Sequence, residues 1–203
     1  MMAQNEQAME GRNIAILVTD GVEQIELTGP REAVERTGAS CRIISEKRGK
    51  VQGFHHVEKG DQFDVDLVFD EADPQDFDAV LLPGGVVNSD YIRIIPAAQR
   101  FVQGMQNDGK PIAVICHGGW LLVSAGLVKG RTMTSWPTLQ DDIRNAGGNW
   151  VDREVQVDGN LISSRKPADV PAFSQKLIEV LAQRVEKNVR GKEDEQMGVG
   201  ASS

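Results

Sequence analysis

The chain has 203 residues, and its 22 Lys and Arg against 30 Asp and Glu give a formal net charge of -8 at pH 7. A chain of this length, with 40% hydrophobic and 26% charged residues, is typical of one globular domain rather than of a disordered or membrane protein. An acidic surface repels phosphate backbones, which argues against nucleic-acid binding through a general basic face.

The two ends of the chain differ in composition from its body. Residues 1–12 are polar without periodicity, and residues 187–203 combine charges with Gly and Ser. We therefore expect a loose tail at each end of one folded body over residues 13–186. The first residues lack a basic region followed by an apolar run, and no apolar segment of about 18 residues occurs, which predicts a cytoplasmic protein without a membrane span.

Short β-branched runs alternate with helical patterns along the body. The strand-like runs cover residues 13–19, 41–45, 78–85 and 111–116, and the helical patterns cover 32–38 and the stretch through Ala97, Phe101, Val102 and Met105. This alternation predicts parallel βαβ units, and the apolar runs AILV, AVLL and IAVI are typical of strands covered on both faces. We expect an α/β fold with a doubly wound, mostly parallel sheet.

Two β-hairpins and a closing helix are also predicted. Asp158-Gly159 lies between two alternating runs and predicts a type I′ turn, and a second hairpin is expected between Val51 and Phe69. The closing amphipathic helix would begin after Asp169 as its N-cap. Its apolar residues recur every four positions and are Phe173, Leu177, Leu181 and Val185.

The segment that follows the strand-like run IAVI carries the clearest chemical signal. It reads Cys116-His117-Gly118-Gly119-Trp120 and leads into the helical run LLVSA, with Gly126 placed to end the helix. A strand, a sharp turn and a helix form the layout of a nucleophile elbow. A thiol beside a helix N-terminus is favoured as thiolate, although a small buried Cys at a strand end would fit the same spacing.

His117 and the glycines after an earlier strand could complete such a site. The His117 imidazole could act as a base or as a cationic partner of the thiolate, or it could hydrogen bond a loop carbonyl on the opposite face. Pro83-Gly84-Gly85 could leave a backbone N–H facing the crevice, and with the His117 N–H this would form an oxyanion hole. The same tripeptide is also a common way to end a strand.

The other Cys and His residues indicate no further site. Cys41 lies in a predicted strand and is expected to be a core thiol. Two cysteines are too few for a disulfide framework. His55-His56 resembles a metal pair only superficially, because adjacent histidines diverge on a strand and no third ligand follows at a useful spacing. We therefore expect no metal.

Taken together, these motifs resemble a known family. The run AVICHGGWLLVSAGLVKGRTMTSWPTLQDDIRNAGGNWVDREVQVDGNLISSRKPADVPAF, with VLLPGG upstream and GVEQIEL near the start, is similar to the PfpI-type intracellular protease and deglycase family. That family belongs to the class I glutamine amidotransferase-like superfamily, alongside the parkinsonism-associated deglycase. The resemblance covers residues 13–183 and implies a flavodoxin-like arrangement of the sheet.

The resemblance implies a role for several individual residues. Cys116 would be the nucleophile and His117 its dyad partner, and Gly85 and His117 match the backbone donors of the oxyanion hole. Glu26 matches an acid that lies against the thiol, whereas the residues alone would make it a solvated loop residue or an acid at a helix N-terminus. Asp90 aligns, with a shift of one residue, with an acidic third member contributed across a subunit interface, and an N-cap is its alternative role.

Two departures from the family pattern concern the substrate pocket. The family's elbow often reads Cys-His-Gly-Pro, whereas Gly119 and Trp120 stand here, and Trp136 stands where the family often carries Tyr. We expect Trp120 and Trp136 to shape the substrate pocket, although both could instead be core or interface residues, since Trp is normally well buried.

The resemblance implies a cysteine-dependent hydrolase of the stress response. Its substrates would be methylglyoxal or glycated side chains of proteins and peptides, with weak peptidase activity, no cofactor, and assembly into a homo-oligomer such as a dimer or hexamer. The alternative is a redox-sensing or chaperone-like stress protein in which Cys116 is oxidised. An amidotransferase subunit is disfavoured, because that class has its His far downstream of the Cys and no His follows His117.

Overall fold

The computed structural model describes residues 9–199, and side chains are described for residues 9–184. A seven-stranded sheet forms its centre. From one edge to the other its strands are β11 (Val155–Asp158), β12 (Leu161–Ser164), β8 (Ile112–Ile115), β7 (Ala79–Leu82), β1 (Asn13–Leu17), β3 (Ser40–Ser45) and β6 (Leu67–Val68). Every neighbouring pair is parallel except β11 with β12. The predicted α/β fold with a mostly parallel sheet is confirmed.

Helices cover both faces of this sheet. On one face lie α1 (Gln24–Glu35) and α6 (Val170–Val199), and on the other lie α3 (Pro96–Asn107), α4 (Gly119–Ser124) and α5 (Gln140–Asn145), while α2 (Val86–Ile92) follows β7. Alternate residues of β1 enter different cores, Ala15 and Leu17 on one face and Ile14 and Ile16 on the other. The strands are therefore buried on both sides, which explains their continuous apolar character.

Two smaller sheets flank the central one. The first contains β2 (Val22–Glu23), β4 (Lys50–His55) and β5 (Glu58–Asp64), and the second contains β9 (Thr132–Met133) and β10 (Asn149–Trp150). β4 and β5 pair antiparallel across a turn at His56 and Val57. This pair is the hairpin expected between Val51 and Phe69, with its strands ending at Asp64.

The hairpin between β11 and β12 turns one residue later than expected. Asp158 pairs with Leu161, so the loop consists of Gly159 and Asn160, and of these only Gly159 has a positive φ, at 57°. A positive φ at the first central position alone is typical of a type II′ turn rather than of the predicted type I′ turn. Asp158 stays in the strand because its carboxylate accepts a hydrogen bond from the Thr132 N–H at 2.6 Å.

α6 begins directly after Asp169, as expected, but the Asp169 side chain has a different partner from the predicted one. The Asp169 carboxylate is buried and accepts two hydrogen bonds from the Arg165 guanidinium, at 2.8 and 3.2 Å, so it is an ion-pair partner and not the predicted N-cap. The predicted apolar face is present, since Phe173, Leu177 and Leu181 are all buried. The Val185 side chain lies outside the described residues.

Both ends of the body extend beyond the predicted boundaries. Met9 is 1% exposed and its N–H donates to the Thr37 carbonyl at 3.0 Å, so residues 9–12 pack against the body. Residues 187–199 continue α6, since this stretch lacks Pro and contains several Lys, Glu and Gln, which are good helix formers. Residues 1–8 and 200–203, where the tails were also predicted, lie outside the described residues. No helix in the described part of the chain could cross a membrane.

Candidate active site

Cys116 lies between the end of β8 and the start of α4, in the turn that the sequence indicates as an elbow. Its φ is 61°, and among the described residues His56 is the other non-glycine residue with a positive φ. This left-handed conformation costs a residue with a Cβ about 1–2 kcal/mol and persists only where the surrounding structure holds it. The turn is therefore strained, and the Cys116 side chain is 6% exposed.

The Pro83-Gly84-Gly85 segment after β7 runs against this elbow. A Cβ on Gly84 would lie 2.7 Å from the Cys116 Cβ and 2.6 Å from the Glu26 Oε2, so only glycine permits the approach. The backbone N–H groups of Gly85 and His117 both lie near the Cys116 thiol and lower its pKa. The structure thus brings together the two amides that the sequence analysis paired as oxyanion donors.

Glu26 lies in the first turn of α1 and is completely buried beside the Cys116 thiol. Its Oε2 accepts a hydrogen bond from the Gly84 N–H at 2.8 Å. Burial, which disfavours the charged carboxylate, raises the pKa of Glu26 to about 8. Glu26 therefore carries its proton at neutral pH. The residues alone predict an acid at a helix N-terminus or a solvated loop residue. Glu26 lies in the site because α1 packs against the loop after β7.

The Cys116 thiol is held in the protonated form by its surroundings. Burial raises the pKa of Cys116, the negative charge that Glu26 acquires on ionising raises it further, and the N–H groups of His117 and Gly85 lower it. This direction differs from the thiolate that the sequence predicted, because the thiol is buried next to a carboxyl group and α4 has only six residues.

The His117 ring lies beside the Cys116 thiol and between two indoles. Its Nδ1 is 3.2 Å from the Cys116 Sγ, and its ring centroid is 5.3 Å from that of Trp120 and 5.6 Å from that of Trp136. Burial lowers the pKa of His117, so the ring is neutral at pH 7. The imidazole therefore meets the thiol instead of turning to the opposite face.

A cavity of about 560 Å³ opens above Cys116. Its lining is largely apolar and includes two buried carboxyl groups, those of Glu23 and Glu26. The lining residues are Gly21, Glu23, Glu26, Phe54, His56, Val57, Gly85, Val86, Val87, Cys116, His117, Trp136, Thr138 and Pro167. Trp136 lines the cavity. Trp120 does not, because it lies behind His117, where its Nε1 donates to the Asp142 Oδ2 at 2.9 Å and the Arg93 guanidinium covers its ring.

The tip of the β4–β5 hairpin forms part of the cavity rim. The His56 backbone N–H donates to the Glu23 Oε2 at 3.0 Å, and Val57, next along the turn, is 88% exposed. Sequence reasoning found the hairpin and the GVEQIEL motif, but it did not connect them with the pocket. Their contact depends on the pairing of β2 with β4, which no local pattern reports.

The structure of the single chain does not bring Asp90 to this cavity. Asp90 is exposed within α2, so it is not an N-cap, and it is absent from the lining of the cavity in the described chain. Exposed apolar side chains surround it on the same surface. They are Val86, Val87, Tyr91 and Ile94, with exposed fractions of 54%, 55%, 61% and 71%.

The second cysteine lies away from this site. Cys41 is half-buried in β3 and packs against the core next to α1, where burial raises the pKa of its thiol to about 12. Within the residues that the structure describes, no group of three His, Cys, Asp or Glu side chains is arranged to hold a metal ion.

The sequence and the fold of this chain are similar to those of known proteins. Residues 12–180 match the family model described as the DJ-1/PfpI family. The chain is 44% identical over 168 residues to a deglycase of Thermococcus kodakarensis, covering 83% of this chain and 98% of the relative. It is 38% identical over 173 residues to protein/nucleic acid deglycase 2 of Escherichia coli, covering 84% and 98%. Among solved structures, Drosophila melanogaster DJ-1beta is similar, with a TM-score of 0.77, 26% identity, and coverage of 90% of this chain and 97% of that one.

Proposed function

Because the chain belongs to the DJ-1/PfpI family, we propose that it is a cysteine-dependent deglycase with Cys116 as its nucleophile. The observation that carries the proposal is the convergence of four groups on one sulfur. These are the Glu26 carboxyl, the His117 ring, and the backbone N–H groups of Gly85 and His117. Two relatives that this chain covers over 98% of their length are named as deglycases, which supports glycated molecules as the substrate class.

The first chemical step is attack of the Cys116 sulfur on a carbonyl carbon of the substrate. The S–C bond forms as the electron pair of the C=O bond moves to oxygen, and the thiol proton has to leave the sulfur. Neutral His117, whose Nδ1 is 3.2 Å from the Sγ, can receive that proton, and Glu26, which carries its own proton at neutral pH, can return one. A base with a pKa near the working pH is suited to transfer in both directions.

The negative oxygen that forms in this step needs donors that are already in place. The N–H groups of Gly85 and His117 belong to the two loops beside Cys116, and both lie near its thiol. Fixed backbone donors of this kind stabilise a tetrahedral intermediate by several kcal/mol, because they do not need to reorient during the reaction.

The cavity supports a substrate larger than an aldehyde. Its volume of about 560 Å³ falls within the usual range for small-molecule sites. A methylglyoxal adduct of a side-chain amine would consume one water and release the free amine and lactate, and free methylglyoxal would likewise take up one water to give lactate. Weak peptidase activity on short peptides belongs to the same proposal, since a peptide carbonyl could meet the same nucleophile and donors.

Replacement of Cys116 tests this proposal. Cys116→Ser should lower turnover of methylglyoxal-modified N-acetylarginine by about 100-fold or more, because a hydroxyl is a far weaker nucleophile. Cys41→Ser is the matched control, since it removes the other thiol away from the cavity, and it should retain turnover within about twofold. Full turnover in Cys116→Ser would exclude the cysteine mechanism.

The alternative function, a redox sensor that uses an oxidisable Cys116, can be tested on the same protein. A thiol whose pKa is raised is poorly reactive towards peroxide, because the thiolate is the species that is oxidised. We expect mass spectrometry after mild peroxide treatment to find Cys116 mainly reduced while turnover proceeds. Stoichiometric oxidation of Cys116 in a protein that turns over neither aldehydes nor peptides would instead favour the sensor.

A further inference from the structure

Asn88, in α2, has a completely buried side chain whose hydrogen-bonding capacity is fully used. Its Oδ1 accepts from the Thr19 N–H at 2.7 Å and from the Thr19 Oγ1 at 3.2 Å. Its Nδ2 donates to the carbonyl oxygens of Pro83 at 3.1 Å and Gly84 at 3.0 Å. An amide offers two donor hydrogens and one acceptor oxygen, and all are engaged. The partners also fix the orientation of the amide, since an N–H can only donate and a carbonyl can only accept.

The two carbonyls that Asn88 binds belong to peptide units whose N–H groups face the site. A trans peptide unit is planar, with its C=O and N–H pointing in opposite directions. The Pro83 carbonyl shares a unit with the Gly84 N–H, which donates to the Glu26 Oε2 at 2.8 Å. The Gly84 carbonyl shares a unit with the Gly85 N–H, which lies near the Cys116 thiol and lowers its pKa. Asn88 thus binds the carbonyl oxygens of both units, and the N–H groups of the same units lie on the side of the active-site groups.

These peptide units need such a restraint because of the glycines within them. Gly84 and Gly85 lack a Cβ, and Gly85 has a φ of 89°. Glycine populates positive and negative φ with similar ease, so its backbone restricts the rotation of these units only weakly. The Gly84 carbonyl has one further donor, the Glu23 N–H, at the longer distance of 3.3 Å.

We propose that Asn88 is a positioning residue that aims the Gly84 N–H at Glu26 and the Gly85 N–H at the oxyanion position. Its contribution to turnover rests on the proposed function, whereas its effect on the Cys116 environment does not depend on any substrate. Asn88 touches neither the sulfur nor the cavity, so it acts through the two peptide units.

The test compares two buried neighbours on α2. Asn88→Ala removes both donor hydrogens without adding a charge. Ser89→Ala is the matched control, because Ser89 is also completely buried and its hydroxyl has no hydrogen-bond partner in the described chain. Both variants are made in the Cys41→Ser background, so that iodoacetamide reports on Cys116 alone.

Asn88→Ala should lower kcat for the glycated substrate by roughly 10-fold or more, with KM changed by less than about threefold, because the oxyanion donor acts mainly in the transition state. It should also move the midpoint pH of Cys116 alkylation upward, since an N–H that faces the sulfur favours the thiolate. Ser89→Ala should leave both quantities at their background values.

A merely structural role for Asn88 would give a different result. Asn88→Ala would then lower Tm but match Ser89→Ala in kcat and in the alkylation midpoint, and this result would overturn the proposal. If the background protein turns over no glycated substrate, the proposed function fails, and the alkylation midpoint alone decides the role of Asn88. If Asn88→Ala does not fold, Asn88→Ser, whose shorter side chain cannot reach both carbonyls, is judged by the same criteria.

Discussion

At the level of single residues, Glu26 and Cys116 function as one unit. Both are buried, and the charge on either raises the energy of the charge on the other, so ionising both at neutral pH is strongly unfavourable. Cys116 was predictable from sequence because a strand, a turn and a helix are local patterns. Glu26 required the family resemblance, since its burial depends on how α1 meets the loop after β7.

The raised pKa of Glu26 predicts a stability that depends on pH. The carboxyl has a pKa of 4.5 in the unfolded chain and about 8 in the folded one, so the folded protein binds more protons between these values. Stability should therefore fall as the pH rises through this window, by up to about 5 kcal/mol in total. Glu26→Gln has no titrating group and should lack this fall.

Urea unfolding of both proteins at pH 5, 6.5 and 8 measures the difference. The free energy of unfolding of the wild type, relative to that of Glu26→Gln, should decline across the series. A constant difference between the two proteins would mean that Glu26 ionises in the folded state much as it does in the unfolded chain.

At the level of elements, the site is assembled from loops at the carboxyl ends of interior strands of the sheet. The segments after β1, β7 and β8 meet there, as expected for ligand sites in open parallel sheets. The strands were predictable because their apolar runs report burial directly. The hairpin rim and the Asn88 contacts were not, because they join segments that are distant in sequence through single side-chain bonds.

The loop after β7 should tolerate no side chain at Gly85. With a φ of 89°, a Cβ there would lie 2.3 Å from the Gly21 carbonyl oxygen and 2.6 Å from the Glu23 nitrogen. Gly85→Ala should cost about 3 kcal/mol or more, as backbone atoms on both sides would have to move.

Gly109→Ala is the matched control for this substitution. Gly109 also has a positive φ, of 59°, but a Cβ there meets nothing within 4 Å, so only the conformational cost of about 1 kcal/mol remains. Chemical denaturation compares the two variants. Equal losses of stability would show that the crowding at Gly85 is relieved without cost.

At the level of the whole molecule, α2 and the residues after it present an apolar surface around Asp90. Val86, Val87, Tyr91 and Ile94 are each more than half exposed. Contiguous apolar surface of this kind often marks a contact with another protein. The family resemblance implies self-association, with Asp90 reaching a neighbouring site, so this surface is where we expect the second copy.

Ile94→Lys should therefore shift the protein towards monomer, because it places a charge in the expected contact. Sedimentation velocity measures this shift, and a turnover assay on the same samples should show activity falling with dissociation. Val157→Lys, at an apolar position on β11 that is 37% exposed, is the control and should leave assembly unchanged. A dilute monomer with full activity would contradict a role for Asp90 across the interface.

The position of Cys116 directly after β8 has a consequence for how this protein can change. β8 lies inside the sheet, between β12 and β7, and contributes to the cores on both faces, so the nucleophile cannot move without disturbing both cores. The exposed tip of the β4–β5 hairpin borders the same cavity and supports little of the core. Substitutions in this short hairpin are therefore the simplest way for evolution or engineering to change the substrate. They would leave the position of Cys116 unchanged.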